Sequence, residues 1–429
     1  MTPAMLQPGP EAMKRLARET AARTREARWA AVLDEAAREF NARGVAGASL
    51  SRIAKAAGVS RAALYYYVRD RQELALASYL LSCERLAADL AAAQADQPDS
   101  LEAVIAFVRA AVDPGRATTA VLSELDYLDP AGRARVTMAH DTNVEALRAL
   151  IRHGVAQGVI RGCDDEIVAQ TLIGVIAWTW LAEGWLAGEN EAFRVGRADA
   201  TADLLRRGQA VDRSRAFACS VPIERFFPKP GLAFDREAQA QAKLDQLLMT
   251  ASQLFNRRGV DGVSLDDVGA ALGATKGAVY HYLENKTDLV VRCYRRAFDL
   301  YEAFADATLA ASPSGLERGL IGVWLNVQAH TSGLSPLIEM AGADALPAAA
   351  GREITRRARA LQLRFLGWAQ QGAAQGDSRP GLDFDALAQI GAGTFQWLPK
   401  WLEPADPRGR GAIADEITRL FIAGLDARP

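Results

Sequence analysis

A chain of 429 residues, half of them hydrophobic, is long enough for roughly two to four domains with cores of their own. A formal charge of −2 excludes bulk charge as a reason to bind a polyanion, so any such role must rest on local charge. The four cysteines, Cys83, Cys163, Cys219 and Cys293, show no C-x-x-C spacing and the four histidines are scattered, which argues against a disulfide framework or a zinc site. That usage fits a reducing cytoplasm, as does the lack of an apolar signal core or of any apolar run of about 18 residues. Alanine is abundant and aromatic residues make up 7% of the chain, a balance that favours helices.

The first sharp pattern is "SLSRIAKAAGVS" followed by "RAALYYYVRDRQEL", ending at Leu74. Ser49 is placed to cap a short helix, and Gly58 sits where a glycine ends one. Leu50, Ile53, Ala54 and Ala57 share an apolar face. Ser60 caps a second helix of about eight residues, and Asp70 with Glu73 reads as a capping box for a third. Two short helices joined through a glycine form a helix-turn-helix. At about 100° per residue, Leu64 and Val68 define the core side of the second helix and Tyr67 flanks it. Tyr65, Tyr66 and Ala62 point away, with Arg61 at the rim. The tyrosines suit either packing on a neighbouring helix or contact with phosphates and base edges; Arg69 and Arg71 follow just past the helix.

The same pattern returns as "VSLDDVGAALGATKGAVYHYLENKTDL" from Val263. An offset of 215 maps Phe40 to Phe255, Gly58 to Gly273, Tyr65 to Tyr280 and Leu74 to Leu289. A repeat of this length predicts two copies of one fold.

Both copies resemble the DNA-binding end of the TetR/AcrR family of transcriptional regulators. Val68 and Leu283 stand where that family often has Phe, Arg71 stands for its usual Lys, and Val268 and Gly269 replace its Ile-Ala pair. The resemblance implies that Ser49, Ser60, Arg61, Ala62, Tyr65, Tyr66, Tyr67 and Arg71 face DNA in the first copy. Their counterparts are Ser264, Thr275, Lys276, Gly277, Tyr280, His281, Tyr282 and Lys286. It also implies an all-helical regulatory domain behind each copy. The segments "VEALRALIRHGVAQGVI" and "RALQLRFLGWAQQGAAQG" agree, each ending near a glycine, Gly158 or Gly376. Apolar helices follow, in which Gly174 answers Gly391 and Trp180 answers Trp397. Each unit closes on a glycine, Gly208 or Gly424.

The expected fold is therefore all-α, two tandem TetR-like units, each a helix-turn-helix domain with a helical regulatory domain. The expected divisions are a basic arm (1–24), a first head (25–80), a first body (81–210), a linker (211–238), a second head (239–295) and a second body (296–429). Family members pair as dimers through their last two long helices, so a pseudo-dimer within one chain is expected. Its seam would lie near Ile167–Trp185 and Leu387–Trp401, with recognition helices about 34–36 Å apart. Trp178, Trp180, Trp185, Trp397 and Trp401 suit core packing or a ligand cavity. Glu124 and Glu339, related by 215, suit buried polar contacts or solvated positions. A small hydrophobic or acyl-type effector is the implied ligand, drawn to Trp178, Trp180, Trp397, Glu124 and Glu339.

The two heads carry unequal charge. Residues 1–80 hold 13 Lys/Arg and 8 Asp/Glu, net +5; the shorter span 239–290 holds 5 and 6, net −1. Much of the excess is "MKRLARETAARTREAR" from Met13, read as a helix extension, a disordered tail or a DNA contact. No nucleophile with its base, metal cluster or phosphate loop appears, so neither an enzyme nor a cofactor is expected. The expected function is a sequence-specific, ligand-responsive repressor acting on an asymmetric operator of double-stranded DNA in the cytoplasm. The competing reading is an interaction scaffold whose second helix-turn-helix is silent.

Overall fold

The computed structural model describes residues 10–113, 115–185, 196–228, 235–338, 346–402, 406 and 408–428, with side chains from Arg25 onward apart from 183–185 and 276. The first half comprises α1 (Pro10–Gly47), α2 (Leu50–Ala56), α3 (Arg61–Tyr67), α4 (Arg71–Asp96), α5 (Ser100–Ala111), α6 (Pro130–Gln157), α7 (Asp165–Trp185) and α8 (Arg197–Arg207). The second half repeats these as α9 (Arg236–Arg258), α10 (Leu265–Ala271), α11 (Lys276–Tyr280), α12 (Lys286–Ala311), α13 (Gly315–His330), α14 (Ala348–Gln375), α15 (Phe384–Trp401) and α16 (Gly409–Ala423). Among the described residues there is no β-strand, only two isolated bridges, so the fold is all-α as expected.

The caps explain where the short helices begin and end. Ser49 Oγ accepts from Arg52 N at 3.3 Å and Ser60 Oγ from Ala63 N at 3.1 Å. Gly58, at φ +68°, ends the turn of the first helix-turn-helix. At the start of α4, the Asp70 carboxylate accepts from Glu73 N at 2.9 Å. Glu73 in turn accepts from Arg69 N, one residue beyond the partner a capping box would use.

Heads and bodies are not joined by flexible hinges. The expected boundaries at 80/81 and 295/296 fall inside α4 and α12, each of 26 residues, so one rigid helix belongs to both parts. The arm is likewise continuous with α1, whose backbone starts at Pro10 and breaks only at Gly44. The heads keep separate cores, around Phe40, Leu64 and Tyr79 and around Phe255, Val279 and Leu289. The bodies share one: Leu101, Leu147 and Leu172 pack in the same cluster as Leu320, Ile390 and Ile417.

Helix α7 is the reason. It is apolar on every side, with Ile167, Val168, Leu172, Val175, Ile176 and Leu181 all buried, so it needs apolar partners all round. It packs on α5 and α6 of its own half and, most extensively, on α15 of the other. The two helices cross at glycines. A Cβ on Gly174 would lie 2.7 Å from both Gly393 O and Trp397 Cβ; one on Gly393 would lie 2.9 Å from Gly174 O and Trp178 Cβ. These reciprocal contacts pair Gly174 with Gly393 and Trp178 with Trp397. The expected pairing of Gly174 with Gly391, and of Trp180 with Trp397, is therefore two residues out of register. Gly391 only touches Phe395 of its own helix, at an ordinary 3.8 Å.

Helices α8 and α16 complete the four-helix seam with α7 and α15. The tails beyond them then exchange. Gln209 N donates to Phe421 O at 2.9 Å, and Leu425 N donates to Leu205 O at 2.9 Å. Gly208 and Gly424, both at positive φ, lie so close to the other half's backbone that no side chain fits. Two ion pairs cross from matching arginines to carboxylates about one helical turn apart in the repeat, Arg161 with Glu416 and Arg379 with Asp203, both at 2.8 Å.

The linker is not a free spacer. Its residues Phe217, Val221, Ile223 and Phe226 pack with Phe304 of α12 and Leu325 of α13, and the Phe226 and Phe304 rings meet edge to face at 4.6 Å. Residues 229–234 lie outside the described residues.

The seam predicts opposite effects for two glycine substitutions. Gly174→Ala forces α7 and α15 apart and is expected to destabilise by about 1–3 kcal/mol. Gly367→Ala, inside α14 with open space where its Cβ would go, is expected to stabilise by about 0.5–1 kcal/mol. Urea unfolding midpoints check both, and a neutral Gly174→Ala would mean that the helices do not need this approach.

Candidate nucleic-acid interface

Leu64 on α3 and Val68, which caps its C-terminus, are buried in the head core. The opposite face is open: Arg61 and Ala62 are exposed, Tyr65 is 43% exposed and Tyr66 70%. Arg61 lies along Tyr65, donating from Nη2 to the phenol oxygen at 3.2 Å with its guanidinium 5.6 Å from the ring centre. The pair presents a cation and a hydroxyl side by side beside the small Ala62, which leaves room for close approach. Arg69 is also exposed, with its guanidinium 3.2 Å from Glu73.

Tyr67 departs from the expectation. Its ring stacks on Trp29 of α1, with centroids 5.1 Å apart and planes 9° from parallel, and its hydroxyl reaches Arg25 O at 3.5 Å. It therefore faces α1, because its position on α3 turns it toward the core side. Arg25 sits over Tyr66 at 5.0 Å and Tyr67 at 5.9 Å, adding its charge to the exposed tyrosine face. Neither Arg25 nor Trp29 was singled out from the sequence, and no local pattern marks a contact so distant along the chain.

Arg71 departs as well. Its Nη1 donates to Val45 O at 3.2 Å, to Ala46 O and to Ala48 O at 3.0 Å, so the guanidinium closes the turn between α1 and α2. Lys286 does the same job in the second head. Its Nζ donates at 3.4 Å to Asp261 O, the carbonyl that answers Ala46 at an offset of 215. Both cations hold the helix-turn-helix in shape, and neither is presented on the recognition face.

The second face is smaller. Helix α11 has five residues against seven in α3. Thr275 caps it, accepting from Ala278 N at 3.4 Å; Gly277 and His281 are exposed and Tyr280 is 45% exposed. Tyr282 is half-buried with the His281 ring edge-on at 5.1 Å. The side chain of Lys276 lies outside the described residues. Ala240 and Leu244 stand where the first head has Arg25 and Trp29, so the arginine that tops the first head's tyrosines has no counterpart at its own position. Ser264 and Asp267 form a complete capping box that holds the Asp267 carboxyl below the usual range, chiefly through the Ser264 hydroxyl. Asp266 is exposed beside it.

Glu124 is buried between the heads. It accepts from Val45 N and, at 3.3 Å, from Ala46 N. A Cβ on Gly44 would lie 2.6 Å from its Oε1, and one on Gly259 2.8 Å from its Cγ. One carboxylate thus fills the space beside the glycine that breaks α1 and the glycine that closes α9. Asp126, two residues on, pairs with Arg258 at 2.9 Å and also with Arg133. Glu124 is therefore an inter-head contact.

The offset of 215 also fails at Glu124. Asn41 Nδ2 donates to Thr119 O and Val121 N donates to Asn41 Oδ1; Asn256 makes the matching bonds with Pro336 O and Ile338 N. The offset there is 217, from Thr119 to Pro336 and from Val121 to Ile338, two more than the count that relates Glu124 to Glu339. Glu339 itself lies outside the described residues.

The tryptophans are spread over the first body and the seam. Trp180 is buried and donates to Ala111 O at 3.1 Å in the first body. Trp397 crosses the seam to donate to Gln170 Oε1 at 2.9 Å, beside the His140 ring. Trp178 sits at the glycine crossing, and Trp401 lies under the Arg408 guanidinium. The Trp185 side chain lies outside the described residues. Trp180, Trp397 and Trp401 are engaged by hydrogen bonds or by a guanidinium, whereas Trp178 is packed with its Nε1 enclosed without a hydrogen-bond partner.

Residues 32–77 and 247–293 match the family described as bacterial regulatory proteins, tetR family, and residues 100–182 match a tetracyclin repressor-like C-terminal domain. The HTH-type transcriptional repressor KstR2 of Mycolicibacterium smegmatis is 21% identical over 196 residues, covering 45% of this chain and 96% of its own length. The HTH-type transcriptional regulator SrpR of Pseudomonas putida is 29% identical over 162 residues, covering 37% of this chain and 74% of its own. The solved structure of the ketosteroid transcriptional regulator KstR2 of Mycobacterium tuberculosis is 20% identical, covering 46% of this chain and 97% of that one, with a TM-score of 0.38. A relative matched over nearly its whole length thus spans less than half of this chain.

The geometry separates two arginines that the sequence placed together. Arg71→Ala strips a donor from three carbonyls and is expected to cost about 1–3 kcal/mol of stability. Arg61→Ala, on an exposed face, is expected to stay within about 0.5 kcal/mol of the parent. Urea denaturation followed by helical circular dichroism measures both; equal midpoints would remove Arg71 from its structural role.

Proposed function

We propose that this chain, a TetR-family regulator built from two tandem units, is a ligand-responsive repressor that reads an asymmetric operator as an intrachain pseudo-dimer. The observation that carries this reading is a pair of unlike exposed faces on one covalent frame. One offers Arg61, Ala62, Tyr65 and Tyr66 with Arg25 above; the other offers Gly277, Tyr280 and His281, with Lys276 at its start. A recognition helix in the major groove needs such a face: phenols and guanidinium for phosphates and base edges, small residues for approach. A homodimer must present the same face twice and so favours a palindrome. This chain is free of that constraint.

In this reading the caps Ser49, Ser60, Ser264 and Thr275 lie at the backbone phosphates. Tyr67, Tyr282, Arg71 and Lys286 act behind the interface by holding it. The first head anchors the complex, because Arg25 and Arg61 reach its face while Asp266 sits exposed beside the other. A small hydrophobic or acyl-type effector acts through the bodies. No described helix is long and apolar enough to cross a membrane, and the proposed location is the cytoplasm. The short α11 and exposed Asp266 favour one competing reading, in which the second head is silent on DNA and serves as a scaffold.

Site selection from a random duplex library is expected to return two half-sites of different sequence, and light scattering to give one chain, 46.1 kDa, per bound duplex. A perfect inverted repeat, or two chains per duplex, would overturn the pseudo-dimer. A single half-site would establish the scaffold reading.

On the selected duplex, Arg25→Ala with Arg61→Ala is expected to weaken binding more than Tyr280→Ala with His281→Ala. The first pair should also flatten the slope of log affinity against log salt by roughly two units, about 0.9 for each phosphate that is no longer neutralised. Equal losses and equal slopes would show that the heads share the load.

A further inference from the structure

The second body holds a half-buried arginine near a tyrosine and a buried histidine, a set that the first does not repeat at the answering positions. Arg296, on α12, donates from Nη2 to Leu334 O at 2.7 Å, while its Nη1 is enclosed without a hydrogen-bond partner. Asp245 is the carboxylate that acts on it through space, yet Asp245 accepts from Gln241 instead. Five residues along the helix, the Tyr301 hydroxyl lies 3.4 Å from His330 Nε2, and His330, 7% exposed, has no partner at Nδ1. Burial holds the imidazole pKa down to about 3, so it is neutral at neutral pH.

An enclosed guanidinium nitrogen with no acceptor, and with its nearby carboxylate engaged elsewhere, is costly to fold, so its missing partner is informative. The first body does not repeat these groups at the answering positions. Leu81 and Leu86 stand at the positions answering Arg296 and Tyr301. Helix α5 has 12 residues where α13 has 16, and the extra turn is the one that carries His330. The side toward the linker is apolar: Phe304 and Leu325 on the helices, and Ile223 and Phe226 on the linker turn that covers them.

We propose that Arg296, Tyr301 and His330 form one binding site per chain for the carboxylate of a hydrophobic acid, with the linker turn as its removable cover. The carboxylate oxygens accept from Arg296 and Tyr301, and the apolar tail replaces Phe226 and Ile223 against Phe304. A neutral hydrophobic ligand would leave the guanidinium unpaired. The site is wired to the second head. Leu334, which Arg296 holds, precedes Ser335, whose φ of +36° is the only left-handed non-glycine conformation among the described residues. Pro336 O and Ile338 N are held by Asn256 of α9, at 2.8 and 2.9 Å. A ligand drawing Arg296 away from Leu334 O therefore acts on the loop that Asn256 clamps.

This proposal rests on the ligand-responsive reading, and the test separates the two. The full chain is heated in sodium octanoate, in octanamide with sodium chloride, and in sodium chloride alone, at one ionic strength. Octanoate is expected to raise the wild-type midpoint progressively with concentration, as a ligand of the folded state does, while octanamide does not. Arg296→Leu, which installs the first body's residue, is expected to lose that response and to be at least as stable as wild type without ligand. Tyr301→Phe keeps the fold and is expected to need several-fold more octanoate. On the selected duplex, octanoate should weaken wild-type binding about tenfold and leave Arg296→Leu unaffected. Identical wild-type midpoints in octanoate and chloride would overturn the site, as would an Arg296→Leu protein that responds like wild type. Binding through Arg296 with unchanged DNA affinity would uphold the site and sink the ligand-responsive reading. Release from DNA that persists in Arg296→Leu would do the reverse.

Discussion

The crossing of α7 and α15 at Gly174 and Gly393 is the constraint on which the rest of the molecule depends. Two helices approach this closely only where neither carries a side chain, and the approach is what brings Trp178 and Trp397 against the opposite backbone. Once they cross there, the bodies cannot form separate cores. Helix α7 has apolar residues on every face, and α15 is the partner that covers the side its own half leaves open. The exchanged tails and the paired Arg161–Glu416 and Arg379–Asp203 bridges follow from the same two-fold arrangement. They fix the angle that the glycines permit.

A rigid seam would be wasted if the heads swung freely. They do not, because α4 and α12 carry the head fold directly out of the body. Arg71 and Lys286, rooted at the start of those helices, reach equivalent carbonyls in the turn ahead of each helix-turn-helix. Each recognition helix is thereby referred to a helix that also belongs to the seam. Glu124 adds a direct link by filling the space beside both Gly44 and Gly259. The spacing of the two faces is thus set by packed, hydrogen-bonded parts rather than by a flexible joint. This is what reading two half-sites on a duplex requires.

Much of this was legible in the sequence because it is local. Ser49, Ser60, Gly58 and Asp70 act within a few residues of themselves, and Leu64 set against Tyr65 and Tyr66 follows from helical geometry. The repeat exposed the two-unit plan for the same reason. What the sequence hid depends on distant partners. Arg71 and Tyr67 carry the chemistry of a DNA contact, and only Ala46 and Trp29 show that they face inward. The match of Gly174 to Gly391 was a count along the chain, whereas the crossing selects Gly393 by contact. Glu124 and Glu339 coincided at 215, but the Asn41 and Asn256 clamps show that the register had already moved to 217. The linker lacked a period because its order comes from the aromatic surface it covers, not from its own hydrogen bonds.

Joining two copies in one chain removes the obligation of symmetry, and the seam shows how far the copies have used that freedom. Trp397 Nε1 donates across it to Gln170 Oε1 at 2.9 Å. The offset of 219 that relates Gly174 to Gly393 also relates Gln170 to Gln389 and Trp178 to Trp397, so the mirror bond would join Trp178 to Gln389. That bond is not made, and Trp178 Nε1 and Gln389 Oε1 are both enclosed without partners. In a homodimer the same change would appear twice and its cost would double. Here one side of the seam keeps the bond and supports the frame while the other drifts. The same logic runs outward to the heads, where Trp29 and Arg25 give way to Leu244 and Ala240. It runs to the bodies too, where Leu81 and Leu86 answer Arg296 and Tyr301 across the pseudo-axis. The frame keeps the positions of the helices, and the residues on them are free to divide the work.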